Sequence, residues 1–132
     1  MIVRVCGAII RKDEILMVHH IHDGRDYWTL PGGGVEEGEI PEDAIVREIQ
    51  EEVCLDVVIK EVLFDEESKG NICRCYLLEE KGTKQLESLG YDPEDAHLPK
   101  EEKMLQGIQW FTLEEKREDP QVKKVIEVLK LT

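Results

Sequence analysis

The chain has 132 residues, with 30 acidic and 17 basic side chains that give a formal net charge of −13. That length suits a single domain over residues 1–132, and the acidity excludes nonspecific binding to nucleic acid polymers or anionic membranes, which need basic surfaces. No apolar run approaches the roughly 20 residues that cross a bilayer, and no basic, apolar-cored leader follows Met1, so we expect a cytoplasmic protein.

Apolar, β-branched runs predict most of the strands. The first two runs, 2–10 and 15–21, flank a charged stretch, which predicts a β-hairpin. Residues 27–30 predict a short strand that leads into a glycine-rich loop. Further strands are expected over 55–64, over 72–78 after a turn at 67–70, and over 104–111.

Two segments carry apolar residues at helical spacing and predict helices over 41–54 and 119–130. Pro41 suits the first position of the first helix, and the second helix is expected to pack on the sheet as structure. Residues 81–102 are polar and turn-rich, and we interpret them as a long connection. The apolar positions are Ile45, Val46, Ile49 and Val53 in the first helix and Val122, Val125, Ile126 and Leu129 in the second.

The four cysteines are too few and too irregularly spaced for a disulfide framework, so we expect free thiols. Cys73 and Cys75, with histidines upstream, are compatible with zinc, because Cys and His are the usual zinc ligands. In a strand, however, these two side chains point to one face, where a free cysteine usually acts as a small buried hydrophobe. The sequence favours this structural role. The residues concerned are Cys6, Cys54, Cys73, Cys75, His19, His20 and His22.

The most informative feature is a cluster of three glutamates, Glu48, Glu51 and Glu52, within little more than one predicted helical turn. At about 100° per residue, Glu51 and Glu52 lie about 60° and 40° to either side of Glu48, so all three project from one face. Like charges at this spacing cost roughly 0.2–0.5 kcal/mol per pair. A divalent cation would turn this penalty into a binding site, since Mg²⁺ takes carboxylate oxygens together with substrate phosphates and water. The alternative is a solvated charge run, because glutamate is a strong helix former.

A proline-led glycine run precedes this helix and favours the functional interpretation. Residues 28–34 read WTLPGGG, and Glu36, Glu37 and Glu39 follow before the helix begins. Glycine permits tight, left-handed or closely approached backbone, so such a loop can present backbone groups to a metal or a phosphate. The sequence therefore places acidic side chains and an accessible backbone next to each other.

Residues 33–55 resemble the Nudix box, the motif of the Nudix hydrolases, which reads Gly-x5-Glu-x7-Arg-Glu-apolar-x-Glu-Glu-x-Gly-apolar. The matching residues are Gly33, Glu39, Arg47, Glu48, Ile49, Glu51, Glu52 and Leu55. Cys54 stands where the family has its second glycine, at the predicted end of the helix. Because glycine favours the left-handed cap there, we expect a cost of about 1 kcal/mol at most, with activity retained. Residues 110–114 also resemble the closing strand of Nudix proteins, so the resemblance spans most of the chain.

The resemblance implies the Nudix fold, an α/β (α+β) architecture in which a mixed β-sheet is sandwiched between α-helices. It also implies hydrolysis of a pyrophosphate bond, in which box glutamates hold Mg²⁺ or Mn²⁺ ions that neutralise phosphoryl charge and position a water. Carried over to this chain, Glu48 and Glu52 are metal ligands. Glu51 is either a third ligand or the catalytic base. The backbone carbonyl of Gly32 or Gly33 completes the shell.

Residues around the three glutamates have expected supporting roles. Arg47 lies about 100° around the helix from Glu48 and is expected to orient carboxylates, with Glu39 as its partner. Many members of the family recruit a further catalytic carboxylate from the loop before the closing strand. Glu102 is the candidate here, beside Glu101, although an acidic loop is also compatible with simple solvation.

Substrate contacts are expected from the second strand and the segment after it. The resemblance places a basic residue near the substrate phosphate at the end of that strand, which points to His19 or His20. Strand alternation turns one of the two towards the site, and the alternative is an ordinary surface histidine. Arg25 and Tyr27 are candidates for contacts with a base or ribose, whereas Trp28 is expected in the core.

Together these observations predict a Mg²⁺- or Mn²⁺-dependent pyrophosphohydrolase that acts on a nucleoside diphosphate linked to another moiety. The compact chain favours a small nucleotide such as a (d)NTP as the substrate and partner. The alternative is a non-catalytic nucleotide-binding or sensing module on the same fold, which the substitution at Cys54 leaves open although no box glutamate is missing. The resemblance also implies a homodimer, because members of the family are often dimeric.

Overall fold

The computed structural model describes residues 1–82 and 105–131. The strands in these ranges are β1 (Ile2–Arg11), β2 (Glu14–His22), β3 (Arg25–Thr29), β4 (Gly32–Gly34), β5 (Val57–Ser68), β6 (Asn71–Glu80) and β7 (Leu105–Thr112), and the helices are α1 (Pro41–Val53) and α2 (Pro120–Leu129). The expected catalytic residue Glu102 and its neighbour Glu101 lie outside the described residues. Neither of the two described helices is long and apolar enough to cross a membrane.

The strands form a mixed sheet with the order β3-β2-β1-β6-β5, in which β4 pairs with β1 and β7 pairs with β2. β1 runs parallel to β6, and the other described strand pairs are antiparallel. The predicted hairpin of β1 and β2 is present but short, with register pairs at Ile10–Ile15 and Arg11–Glu14. On the same edge of β1, residues 4–6 pair with β4 instead of β2. β1 and β2 therefore pair only next to their connecting turn.

Each face of the sheet carries one helix and one apolar core. Val5 and Ile9 of β1 pack with α1, whereas Cys6 and Ala8 of the same strand pack with α2, as the alternation of a strand requires. Ala44, Ile45, Ile49 and Val53 contribute the α1 side, and Val122 and Val125 contribute the α2 side. The expected mixed sheet between helices is therefore confirmed.

The predicted elements differ from the structure mainly at β4. Gly32–Gly34 was expected to be a loop, but it forms a short strand antiparallel to Arg4, Val5 and Cys6. Glycine has a low strand propensity, and this pairing is set by partners far along the chain, so the local pattern could not indicate it. β5 also extends to Ser68, which reduces the predicted turn to Lys69 and Gly70, both at positive φ.

All four cysteines are free, as expected. Cys75 is buried in the α2-side core and Cys73 packs against the same core, so the strand places both on one face. Within residues 1–82 and 105–131, no group of three His, Cys, Asp or Glu side chains is gathered in a way that could hold a metal ion. The burial of Cys75 and the packing of Cys73 agree with the structural role predicted for these cysteines.

Candidate active site

The first turn of α1 is fixed to the sheet through its acidic side chains. Pro41 begins the helix, and Glu42 and Asp43 follow in the first turn, where negative charge is favourable to the helix dipole. The hydroxyl of Tyr76 on β6 donates to Glu42 Oε2 at 2.9 Å. Burial, together with this hydrogen bond to Glu42, raises the pKa of Tyr76 to about 12. The phenol is therefore a neutral donor that holds the start of α1 in place.

The end of α1 shows how Cys54 replaces glycine. Cys54 has φ 58° and ψ 37°, the left-handed conformation, and its N–H donates to the carbonyl of Gln50 at 3.2 Å. Cys54 thus adopts the left-handed cap conformation that favours glycine, with the strain that an L-residue has there.

Glycine in β4 allows an unusually close approach of backbone to both neighbours. A Cβ on Gly32 would lie 2.0 Å from the carbonyl oxygen of Val5, and a Cβ on Gly33 would lie 2.5 Å from the carboxylate of Glu48. Real Cβ atoms do not approach other atoms this closely. Because these residues have no side chains, β4 can lie close to β1 at Gly32 and close to the Glu48 carboxylate of α1 at Gly33.

Glu52 and Glu48 converge on this glycine strand. Among the described residues, Glu52 is the charged residue that is buried, with 7% of its surface exposed. Its Oε1 accepts the N–H of Gly32 at 2.7 Å. The Glu48 carboxylate lies against Gly33, one residue further along β4. The structure therefore brings three of the predicted metal-binding residues, Gly32, Glu48 and Glu52, to one place.

Arg47 neutralises part of this acidic cluster. Its Nη1 donates to Glu48 Oε1 at 3.0 Å and to Glu51 Oε1 at 2.7 Å, and its Nη2 donates to the carbonyl of Gly34 at 3.0 Å. The expected partner Glu39 accepts from Nε and Nη2 at 2.8 and 2.9 Å. This paired hydrogen bond from Arg47 lowers the pKa of Glu39, and Glu39 in turn is the largest cause that raises the pKa of Arg47. Arg47 thus orients carboxylates, as predicted.

The donor set is chemically suited to a hard divalent cation. Glu48, Glu51 and Glu52 offer carboxylate oxygens, and the adjacent glycine backbone offers carbonyl oxygens, which are the ligands that Mg²⁺ and Mn²⁺ prefer. Arg47 holds one oxygen of Glu48 and one of Glu51, which is consistent with the finding that the described residues form no ready-made cluster of three ligands.

The expected substrate-binding residues fall on two faces of the β2–β3 ladder. His19 stacks on Trp28 at 4.7 Å and its Nε2 bonds to Asp26, on the face that carries the α2-side core. His20 stacks on Tyr27 at 5.4 Å on the opposite face. The predicted alternation of the two histidines is therefore present, and Trp28 packs against the core as expected.

Arg25, the fourth expected substrate contact, is exposed at the start of β3 and pairs with His22 in the ladder. It thus lies at the other end of β3 from Thr29, the residue after which the chain turns towards β4. The structure does not gather Arg25, His19, His20 and Tyr27 on one surface.

A cleft of about 820 Å³ opens at the far end of β1, away from the glycine strand. Arg11 crosses this region, where it donates to both oxygens of Glu80 at 2.9 and 2.6 Å and stacks over Trp110 at 4.4 Å from the ring centroid. The described residues that line the cleft include none of the Nudix-box residues. The chemistry of the carboxylates therefore favours the β4–α1 site as the candidate active site in preference to this cleft.

The sequence reasoning missed one side chain that contacts the turn before β4. Gln121 at the start of α2 accepts the hydroxyl of Thr29 at 2.6 Å and the N–H of Leu30 at 3.0 Å. In the sequence, Pro120 indicates the start of the helix, but no residue nearby indicates what Gln121 contacts. A contact across 91 or 92 residues has no local signature.

A mixed sheet between two helices, with a glutamate-bearing helix against a glycine strand, defines a protein of the Nudix class. The NUDIX domain model matches residues 1–130, so the chain belongs to the Nudix family. A NUDIX-family hydrolase from Clostridium perfringens has the same fold, with a TM-score of 0.69 at 19% identity over 98% of this chain and 97% of that one.

Two curated relatives match over short segments. An RNA pyrophosphohydrolase of Sulfurovum sp. (strain NBC37-1) is 51% identical over 42 residues, which are 32% of this chain and 26% of that protein. An 8-oxo-dGTP diphosphatase of Proteus vulgaris is 52% identical over 31 residues, which are 24% of this chain and 28% of that protein. The chain thus matches little more than a quarter of the length of either relative.

Proposed function

We propose that this protein is a Mg²⁺- or Mn²⁺-dependent hydrolase of the pyrophosphate bond in a nucleoside diphosphate linked to another moiety. The observation that carries the proposal is the convergence of Glu48 and Glu52 on Gly32 and Gly33, which sets two carboxylates against the backbone of the glycine strand. Membership of the Nudix family supports the same reaction class. The relatives named as a pyrophosphohydrolase and a diphosphatase support the same kind of bond.

The geometry of β4 favours Gly32 over Gly33 as the carbonyl ligand. Gly7 N–H donates to Pro31 O and Val35 N–H donates to Val3 O, so antiparallel alternation makes Gly33 the residue that exchanges both ladder bonds with β1. Gly32 therefore directs its N–H and its carbonyl away from β1. Since that N–H meets Glu52, the carbonyl of Gly32 lies on the side of the carboxylates.

The residues have distinct proposed roles. A bound Mg²⁺ or Mn²⁺ would polarise a phosphoryl oxygen and lower the pKa of a water. Glu48 and Glu52, with the Gly32 carbonyl, would hold the cation, and Arg47 Nη1 donates to both Glu48 and Glu51 and so orients them. Glu51, which accepts a hydrogen bond from Arg47, is either a third ligand or the base that takes the proton of the water.

The proposed substrate is a small nucleotide such as a (d)NTP. His20 and Tyr27 stack on the face of the β2–β3 ladder that carries α1, whereas His19 and Trp28 stack on the face that carries α2. Arg25 adds a positive charge at the start of β3. Such rings can stack on a base, and a cation can pair with a phosphate. A homodimer and a cytoplasmic location stay predictions from the sequence.

Glutamate-to-glutamine variants test the reaction and the ligand assignment together. We expect Glu52→Gln and Glu48→Gln to lower Mg²⁺-dependent hydrolysis across a nucleotide panel by more than about 100-fold, because each loses a ligand charge. Glu37→Gln, at an exposed position in the loop before α1, is the matched control and should hydrolyse normally. Intact hydrolysis by Glu52→Gln would show that the ligand assignment is wrong.

Glu51→Gln distinguishes the two roles left open for Glu51. A base gives a lower kcat with unchanged Mn²⁺ affinity, whereas a ligand gives weaker Mn²⁺ binding as well. If the wild-type protein binds nucleotides of the panel without phosphate or pyrophosphate release, the non-catalytic module is the correct function.

A further inference from the structure

The turn that leads into β4 is held from the opposite side of the sheet. Gln121 Oε1 accepts two hydrogen bonds, from Thr29 Oγ1 at 2.6 Å and from the N–H of Leu30 at 3.0 Å. Its Nε2 lies 3.8 Å from Cys6 Sγ on β1. One side chain of α2 therefore contacts both β1 and the segment that becomes the glycine strand.

Gln121 is itself held rigidly. Asp119 caps α2, and its Oδ1 accepts the N–H groups of Gln121 and Val122 at 2.9 and 3.1 Å. Pro120 fixes the first helical position, and Val122 is fully buried in the α2-side core. Because the backbone at residue 121 is fixed by both the cap and the core, the amide oxygen can act as an anchor.

A short and fully bonded path joins this anchor to the carboxylates. Leu30 is two residues before Gly32, and between them the carbonyl of Pro31 accepts the N–H of Gly7 at 2.9 Å. Gly32 then donates to Glu52 Oε1 at 2.7 Å. Without the bonds to Gln121, the backbone N–H of Leu30 would lose its acceptor, and the entry into β4 would be held by the pairing of Thr29 with β2, the packing of Leu30 and the bond at Pro31. The next N–H in line, at Gly32, would then be less well aligned with Glu52.

We propose that Gln121 is a positioning residue for the metal site, which holds Thr29 and Leu30 so that Gly32 is presented to Glu52. The predicted effect on metal binding rests on the proposed function, whereas the predicted effect on the position of Gly32 does not. Gln121 has no hydrogen bond to Glu48, Glu51 or Glu52 among the described contacts, so its effect passes through the backbone of residues 29–32.

The test combines amide hydrogen exchange with Mn²⁺ titration of the full chain. In Gln121→Ala we expect the amides of Leu30 and Gly32 to exchange at least about tenfold faster and Mn²⁺ affinity and kcat to fall about tenfold, as for other outer-shell contacts. Gln121→Glu keeps the acceptor oxygen and should stay within about twofold of wild type in all three measurements. Lys123→Ala, at an exposed position on the same helix, should change none of them.

Thr29→Val keeps the proposal testable if Gln121→Ala does not fold. It removes one of the two donors, so it should give intermediate exchange at Gly32, and it should have no further effect when combined with Gln121→Ala. The proposal is overturned if Gln121→Ala keeps the wild-type exchange rate at Gly32 and the wild-type Mn²⁺ affinity. If only Thr29→Val folds, the same result in that variant overturns it. A raised KM with these two values unchanged would also overturn it, because Gln121 would then touch substrate.

Failure of the proposed function is recognised separately. If Glu52→Gln binds Mn²⁺ as tightly as wild type, the metal assignment fails, while the exchange rate of the Gly32 amide still decides whether Gln121 positions β4. If Glu52→Gln loses Mn²⁺ and Gln121→Ala does not, the metal assignment stands and the positioning role is wrong.

Discussion

The Cα of Gly33 lies directly against the carboxylate of Glu48. A Cβ built on Gly33 would be 2.5 Å from Cδ and from both oxygens of Glu48. These atoms are the far end of a flexible side chain, so the protein can accept a methyl group there by moving the carboxylate. The absence of a side chain at residue 33 is therefore a requirement of the site more than of the fold.

Gly33→Ala should separate metal binding from stability. We expect Mn²⁺ affinity and hydrolysis to fall at least about tenfold, because Glu48 must move, with a loss of only about 1 kcal/mol in the free energy of unfolding. Isothermal titration with Mn²⁺ and urea unfolding measure the two effects. Gly34→Ala is the matched control, since its Cβ would meet nothing closer than Val3 O at 3.9 Å. Equal effects in the two variants would contradict the proposed contact.

Gly32→Ala should instead damage the fold. Its Cβ would lie 2.0 Å from the carbonyl oxygen of Val5 and 2.6 Å from the Cα of Cys6, and backbone atoms cannot swing aside as a carboxylate can. We expect the free energy of unfolding to fall by about 3 kcal/mol, measured by urea unfolding followed by circular dichroism. A variant as stable as Gly34→Ala would show that β4 can shift away from β1.

Cys54→Gly should stabilise the protein by about 1 kcal/mol. Cys54 has φ 58°, a conformation that costs an L-residue about 1–2 kcal/mol, while glycine adds some entropy to the unfolded chain. Urea unfolding gives the difference, and Cys54→Ala, which keeps a Cβ, should show no such gain. Metal affinity should not change in either variant, because the turn already has the geometry that glycine would give it.

Glu39 should make stability depend on pH in the acid range. Its hydrogen bonds from Arg47 lower the pKa of Glu39 below its ordinary value of 4.5 in the folded protein. This contribution to stability is therefore present above pH 4.5 and is lost as the pH falls through the lower, folded pKa. Urea unfolding between about pH 7 and about pH 3 should show Glu39→Gln less stable than wild type at neutral pH, with the difference shrinking in acid. In an Arg47→Met background, which removes the cause, the difference should be small at every pH.

Much of the fold could be predicted because its signals are local. Pro41 and the apolar spacing through Val53 marked α1, and the alternation at Cys73 and Cys75 marked the face of β6. The pairing of Arg47 with Glu39 was also predicted and is present. The strand at Gly32–Gly34 was not, because glycine carries no strand signal and the partner of each residue lies on β1.

The sequence by itself determined which residues are candidates for the site, since the Nudix box places its glutamates and Arg47 at spacings that a single helix converts into one face. The tertiary structure decided which groups these side chains contact. It buried Glu52 against the N–H of Gly32, set Glu48 against Gly33, and brought Gln121 to Thr29 and Leu30. These contacts join residues from 15 to 92 positions apart, and only the packing of α1 and α2 on the two faces of the sheet brings such residues within hydrogen-bond distance.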